Sequence, residues 1–477
     1  MSNDANIVQF FYFCMFPMEK FVSIVNAIVW SPALVVLLIG AGLYFSFRTK
    51  FVQVRRFGLL IRSLMGDGKK GKDGITSFEA FCLALSGRVG TGNIVGVATA
   101  IALGGPGAVF WMWIISFFGA STAFVESTLA QIFKFKHKTG FRGGPAAYIE
   151  KGLGMKWLAM VFAILTIIGY GTLLPTVQAN GVTTAMVNSF HIPPAAVGLG
   201  LAFLLGLVII GGIKSISRVA SVITPFMTAG YLIIALIVIA FHIKEVPSVL
   251  LSVITGAFGI NPVCGGILGS TIMMGVKRGI FSNEAGEGGG AIVSASADVP
   301  HPARQGLAQC FSVYVDTLLI CTATALMILC SGTYNIFDSG SGEVLLQNAP
   351  ELGNNYVGFT QAAIDSVLAG AGGAFVGIAM VFFVFTTVMA YYFYSESSIM
   401  YLFDGKGKPK TESALIWIYR FVLLGAVIFG ALKEADTVWQ MGDIGVGLTA
   451  WVNVIALLIL CPKAISALRE YEDSLKK

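Results

Sequence analysis

Ser86-Gly87-Arg88-Val89-Gly90-Thr91-Gly92-Asn93-Ile94-Val95-Gly96 stands in the middle of an apolar run from 77 to 103, and its reading decides the fold. The run is long enough to cross a hydrocarbon core of about 30 Å as a helix. Its centre nevertheless carries glycines interleaved with Arg88, Thr91 and Asn93. Such a sequence lets a helix unwind near the bilayer midplane and leaves backbone groups that lipid cannot satisfy. The competing reading makes Gly92 and Gly96 a small-xxx-small stripe for close helix packing. Arg88, Thr91 and Asn93 weigh against it, because a charge near the membrane centre costs at least about 2.5 kcal/mol on insertion scales.

The rest of the chain shares this solvent. Of 477 residues, 56% are hydrophobic and 12% charged, with a mean hydropathy of +0.80, outside the range of soluble globular domains. Eleven runs can span: 22 to 46, 77 to 103, 108 to 133, 156 to 187, 195 to 213, 219 to 241, 263 to 296, 307 to 330, 367 to 396, 412 to 431 and 437 to 461. They are continuous rather than alternating at period two, which excludes membrane strands. The first twenty or so residues are mixed polar and aromatic and do not read as a cleavable signal peptide. The seven cysteines have no metal-ligand or paired spacing, and the four histidines lie far apart in loops, so no metal motif is present.

Basic residues sort strongly between alternate loops. The loop from Arg48 to Lys72 holds eight, that from Lys134 to Lys156 six, and Lys214, Arg218, Arg304, Lys406, Lys408, Lys410 and the tail from Lys463 ten more. The other loops hold Lys20, Lys244 and Lys433, and the long loop between spans eight and nine has acids and no lysine or arginine. The positive-inside rule places the N-terminus outside and the C-terminus in the cytoplasm of a bacterial inner membrane. It also accounts for the net charge of +6 without a nucleic-acid partner.

An internal repeat links two of the spans. Span seven contains Arg278-Gly279-Ile280-Phe281-Ser282-Asn283-Glu284-Ala285-Gly286, which like span two reads Arg, four residues, Asn, two residues, Gly. The same offset carries Glu126 of span three to Asp316 of span eight. Spans two and seven start on opposite sides, so the halves are inverted, and interrupted helices in an inverted repeat point to a transporter binding site. The expected units are 1–75, with the first span and a basic loop, two five-helix repeats at 76–241 and 242–462, and a cytoplasmic tail at 463–477. Freed carbonyls at a broken helix coordinate a cation, while the positive end of the following half-helix attracts a carboxylate. A zwitterionic amino acid with sodium fits both. Gly279, Ser282 and Asn283 line the second break and are expected to complete the substrate site.

Other polar groups lie within the spans: Glu126, Lys277, Arg278, Glu284, Glu287, Asp316, Glu396 and Arg420, besides Arg88. Pairing Glu126 and Asp316 with Arg278 and Arg88 would make an internal ion-pair network or gate; the alternative makes Glu126 or Asp316 a proton carrier, with H⁺ as the coupling ion. Thr386 and Thr387 in span nine could lend hydroxyl oxygens to a hard cation, or bond back to their own helix. Gln178 and Asn180 in span four could meet a substrate or another helix.

The stretches Gly90 to Gly107 and Arg278 to Gly286, with Phe141-Arg142-Gly143-Gly144-Pro145-Ala146 and Val177-Gln178-Ala179-Asn180, resemble the alanine or glycine:cation symporter family from the first span to about residue 460. The resemblance implies a LeuT-like all-helical fold with a five-plus-five inverted repeat after one N-terminal helix. It also implies uptake of alanine, glycine or glutamine with Na⁺ by alternating access. Carried over by position, Thr91, Gly92, Asn93 and Gln178 would bind substrate. A shorter similarity to neurotransmitter:sodium symporters would place Na⁺ on the carbonyls of Ser86 and Val89 and the hydroxyls of Thr386 and Thr387. Where the family continues Ser-Ala-Pro after Gly288, this chain has Gly289-Gly290-Ala291. A channel or a membrane enzyme fits less well: broken, inverted helices oppose continuous pore helices, and no catalytic cluster lies in the spans. Nothing in the sequence sets an oligomeric state.

Overall fold

The computed structural model describes residues 19–64, 74–260, 266–404 and 406–476. The signal-peptide reading, Lys69, Lys70 and Lys72 of the basic loop, and the first residues of the span-seven run lie outside them.

Each of the eleven apolar runs falls on a helix or a broken pair. Among the described residues, seven continuous helices are long and apolar enough to cross a membrane: Gly107–Ile132, Lys156–Phe190, Gly212–Phe241, Pro302–Ser331, Gly372–Phe403, Pro409–Leu432 and Ala435–Ser474. They carry spans three, four, six and eight to eleven. Span one makes an eighth, Glu19–Val29 followed by Pro32–Arg48, bent by 40° where Pro32 cannot continue the hydrogen-bond ladder. Span five is the shorter helix Pro194–Ile209. Spans two and seven are the broken pairs.

The first half of span two, Ser77–Arg88, starts on a capping box: Glu79 N–H donates to the Thr76 hydroxyl and Thr76 N–H to the Glu79 carboxylate. It stops at Val89, whose ψ of 92° is extended. Thr91–Asn93 form one 3₁₀ turn, and a helix resumes as Val95–Gly104. In span seven, Leu268–Asn283 ends where Glu284 turns left-handed at φ 53°. Gly286 and Gly288 follow at φ 90° and 98°, and Gly289–Ala295 resumes the helix. Here the glycines are needed, because two positive φ angles in three residues would strain any other side chain.

These breaks sit at the centre of the bundle, where residues 77 and 80–102 of span two and 274–296 of span seven are almost all buried. Span three packs along the first half of span seven and along span eight; the first half of span two packs on spans six, eight and nine. Shorter helices outside the eleven runs were not foreseen, among them two in the basic loop, Val52–Arg55 and Phe57–Arg62. Pro145–Leu153 follows the hairpin Phe135–His137 and Gly140–Arg142, on the side of the basic loops. Val246–Ala257 and Tyr356–Asp365 lie on the other side, near the hairpin Asn335–Phe337 and Val344–Gln347. At 12 and 10 residues, the latter two helices are too short to register as spans.

Candidate functional site

Breaking span two redirects its hydrogen bonds. In a continuous helix the Ser86 carbonyl would accept from Gly90 N–H and the Val89 carbonyl from Asn93 N–H. Instead Gly90 N–H donates to Asn93 Oδ1 at 2.9 Å, and Asn93 N–H to the Gly90 carbonyl at 3.3 Å. The two freed carbonyls converge on Thr387 of span nine, whose Oγ1 is 2.9 Å from Ser86 O and 3.0 Å from Val89 O. It is also 2.7 Å from its own Phe383 O. One hydroxyl has one proton, so it cannot satisfy all of these oxygens at once.

Thr386 does not join this group. Its hydroxyl lies against its own Phe382 and Phe383 carbonyls and the Met227 sulfur, since successive residues of a helix diverge by about 100°.

Beside the three oxygens, Gln178 Oε1 accepts from Thr91 N–H at 2.9 Å and from the Thr91 hydroxyl at 3.0 Å. A Cβ on Gly90 would come 2.6 Å from Gln178 Oε1 and 2.8 Å from Thr387 Oγ1, so only glycine fits there. A Cβ on Gly96 would find nothing nearer than 3.9 Å. The packing-stripe reading therefore fails at Gly96, holds at Gly92, whose added Cβ would be 3.2 Å from Phe281, and did not include Gly90, which is tighter still.

Asp316 ties the two breaks together. Its carboxylate accepts from Asn93 Nδ2 at 2.7 Å and from the Ser282 hydroxyl at 2.8 Å, and from its neighbour Thr317 at 2.7 Å. It lies in a π-helical stretch, Tyr314–Cys321, inside span eight, a local widening frequent at functional sites.

Asn283 turns to its own break, its Oδ1 accepting from Ala285 N–H at 3.0 Å. Gly279 corrects an expectation: its missing Cβ would lie 2.4 Å from Ile115 of span three, so it serves helix packing rather than the space between the breaks. The cause is register. The first half of span seven runs to Asn283, five residues further than its counterpart in span two, so Gly279 remains inside a helix.

The ion pairs also differ from expectation. Arg278 does not pair with Glu126 or Asp316 but with Asp443 of span eleven, at 2.7 and 2.9 Å, and Lys277 shares the same carboxylate at 2.7 Å. Arg88 bonds neutral partners on span eight, Gln309 Oε1 at 3.0 Å and the Ser312 hydroxyl. Glu126 accepts from Asn453 Nδ2 at 3.1 Å, and the same amide reaches the Gly286 carbonyl at 2.9 Å. The Arg278 guanidinium lies 4.8 Å from the Trp439 ring centroid, and Trp439 stands 5.1 Å from Phe281. Phe281 in turn covers Gly92, whose added Cβ would be 3.2 Å from its ring.

Above this cover lies a cavity of 840 Å³, lined by Thr99, Gly181, Lys277, Asp338, Trp439 and Asp443 among others. It faces the side of the acidic loop. Gly181 at its floor adjoins Thr91, whose Cγ2 would be 2.3 Å from an added Cβ.

The sodium:alanine symporter family model matches residues 15–477. The chain belongs to that family. A sodium/proton-dependent alanine carrier protein of Bacillus sp. strain PS3 is 43% identical over 410 residues, 86% of this chain and 91% of that one. A Bacillus subtilis protein named as a probable sodium/glutamine symporter, GlnT, is 41% identical over 455 residues, 95% and 91% of the two chains. The fold matches a structure of MhsT with L-phenylalanine at a TM-score of 0.50 and 15% identity, covering 83% of this chain and 100% of that one.

This member of the symporter family is thus a multi-pass membrane transporter of the LeuT-like fold, not an enzyme, and it moves an amino acid with a cation. Sequence reasoning missed Asp443, Trp439 and Phe281. Asp443 had a signal, an acid inside the apolar run of span eleven; the two aromatics had none, being ordinary residues of apolar helices.

Proposed function

We propose that this symporter-family protein imports a small neutral amino acid, alanine or glycine first and glutamine as an alternative, in symport with Na⁺. The observation that carries the ion is the convergence of the Ser86 and Val89 carbonyls on the single proton of Thr387. These are hard, uncharged oxygen ligands, suited to an alkali cation. Thr91, Gly92, Asn93, Gln178 and Ser282 would bind the substrate beside it. The N-terminal turn of Val95–Gly104 offers its dipole to the carboxylate. The Arg278–Asp443 pair with Phe281 and Trp439 would close the site toward the 840 Å³ cavity, which we place on the outer face. That assignment puts the basic loops and the C-terminus in the cytoplasm. The five-helix repeats then run from 76 to 241 and from 242 to 462.

Coupling to H⁺ through Glu126 or Asp316 is the second reading. Against it, the oxygens that converge beside Thr387 offer a cation site containing no titratable group.

Uptake of labelled alanine, glycine and glutamine into proteoliposomes, with an inward Na⁺ gradient compared with an equal K⁺ gradient, tests the proposal. Uptake that requires Na⁺ and collapses in Asn93→Ala is the expected result. Uptake indifferent to Na⁺ but driven by a pH gradient would remove the sodium assignment.

A further inference from the structure

Inward of the two breaks, toward the basic loops, lies a buried polar cluster that the site above does not use. Glu284 and Glu287 enter it from the break of span seven, Glu126 from span three, and Arg88 from span two; all are buried. Tyrosines line one wall. Tyr170 of span four donates to Glu287 Oε2 at 2.9 Å, and Tyr394 of span nine to Glu284 Oε2 at 3.2 Å. Their rings lie 4.9 Å apart, and Tyr391 stands 5.1 Å from Tyr170. The Gly289 of this chain makes the wall possible, since a Cβ there would fall 2.6 Å from Tyr394, 2.8 Å from Glu284 Oε2 and 3.0 Å from Tyr170 Oη. Gly290 does the same for Arg88, whose Nη2 would lie 2.5 Å from a Cβ. The departure from Ser-Ala-Pro thus fits the close packing of this cluster.

The charges in it do not balance. Glu126, Glu284, Glu287 and nearby Asp316 are four acids facing one guanidinium, because Arg278 and Lys277 are committed to Asp443. Glu126, Glu284 and Glu287 each keep one carboxylate oxygen, Oε1, with no hydrogen-bond partner among the described residues. An ionised carboxylate buried that way is among the least favourable arrangements in a protein, and taking up a proton removes the charge. Glu287 accepts from Tyr170 and stands among the like charges of Glu284 and Glu126. The remaining titratable groups around it are Tyr170, Tyr391 and Tyr394, with Tyr148 beyond Asn453 and Cys310 and Asp316 on span eight. None of these supplies a second positive charge.

We propose that Glu287 is a proton-binding site, distinct from the sodium and substrate sites, which must be occupied for the cytoplasmic side of the carrier to close. The inference rests on the alternating-access reading above. When the inner half of span seven moves away and water enters, Glu287 loses its proton to the cytoplasm. Before the carrier can close and return, a proton from the cytoplasm must rejoin the carboxylate. Only this O–H bond breaks and re-forms. Net uptake then depends on internal pH even though Na⁺ drives it.

The test is Na⁺-driven alanine uptake by proteoliposomes at fixed external pH, with the interior set from mildly acidic to mildly alkaline. In the wild type, uptake should fall several-fold as the interior becomes alkaline. Glu287→Gln, neutral and of the same shape, should keep Na⁺-driven uptake and lose the dependence on internal pH. An unchanged pH profile in E287Q would overturn the proposal. Should E287Q fail to fold, the infrared carbonyl band of a protonated carboxylic acid in wild-type protein at neutral pH decides. That band should shift in Glu287→Asp, and a band that does not shift would overturn the assignment. Loss of Na⁺ dependence in the wild type would instead strike the symport reading, so the two failures are separable.

Discussion

The breaks in spans two and seven carry the same motif and do opposite things with it. In span two, Arg88 is the last helical residue and Asn93 sits inside the turn, with one amide oxygen on Gly90 N–H and the amide nitrogen on Asp316. In span seven, Arg278 is still more than a turn from the helix end; Asn283 is the last residue, and its Nδ2 has no partner among the described residues. The five-residue shift sends Arg88 to Gln309 and Ser312, and Arg278 to Asp443 beside the 840 Å³ cavity. The carboxylates also exchange halves. Asp316 of the second repeat serves the first break, while Glu126 of the first repeat reaches the second break through Asn453. The same motif positions are therefore kept in both breaks while their side chains find different partners.

The largest effect that would test this contrast is expected at Gly90. Gly90→Ala places a methyl within 2.6 Å of Gln178 and 2.8 Å of Thr387, so uptake should fall by about two orders of magnitude, roughly 2.7 kcal/mol. The same protein should remain folded by thermal melting; retained uptake would show that the convergence is not the working site.

Next comes the asparagine pair. Asn93→Ala removes a cap and the bond to Asp316 and should cost about tenfold or more in uptake, whereas Asn283→Ala, which loses a single bond to Ala285, should cost less. Equal losses would erase the asymmetry. The threonines sharpen it. Thr387→Val should raise the Na⁺ concentration for half-maximal uptake about tenfold, about 1.4 kcal/mol, while Thr386→Val leaves it near the wild-type value. Smallest of all, Gly96→Ala should change uptake by less than about twofold, since 3.9 Å of clearance admits a methyl.

Much of this was legible in the chain. Eleven apolar runs located every long helix, and the glycine–polar interruptions of spans two and seven located both breaks, because lipid forbids unsatisfied backbone and so makes exceptions conspicuous. Thr387 was legible only as half of a pair; helix phase, which separates it from Thr386, depends on the exact register of span nine. Gly279 was misplaced because two breaks matched by motif need not be matched by geometry. The Arg278–Asp443 pair was missed because ion partners were sought among acids of the repeat, and Asp443 has no counterpart within that motif. The tyrosine wall left no trace, for Tyr170, Tyr391 and Tyr394 are unremarkable until Gly289 lets them meet.

One small contact joins the two broken helices by their main chain. Ile75, just before the first half of span two, forms an isolated bridge with Ala297, just beyond the second half of span seven. Ile75 N–H donates to Ser296 O at 3.1 Å, and Asp298 N–H to Ile75 O at 3.0 Å. The inner ends of the two broken helices are thus stitched together by main chain alone, with no side chain to titrate or mutate away. If those ends part whenever the protein opens inward, each opening exposes the amide hydrogens of Ile75 and Asp298 to exchange. Their deuterium uptake, slowed or quickened by Na⁺ and alanine, would report from within the backbone how readily the inner ends separate.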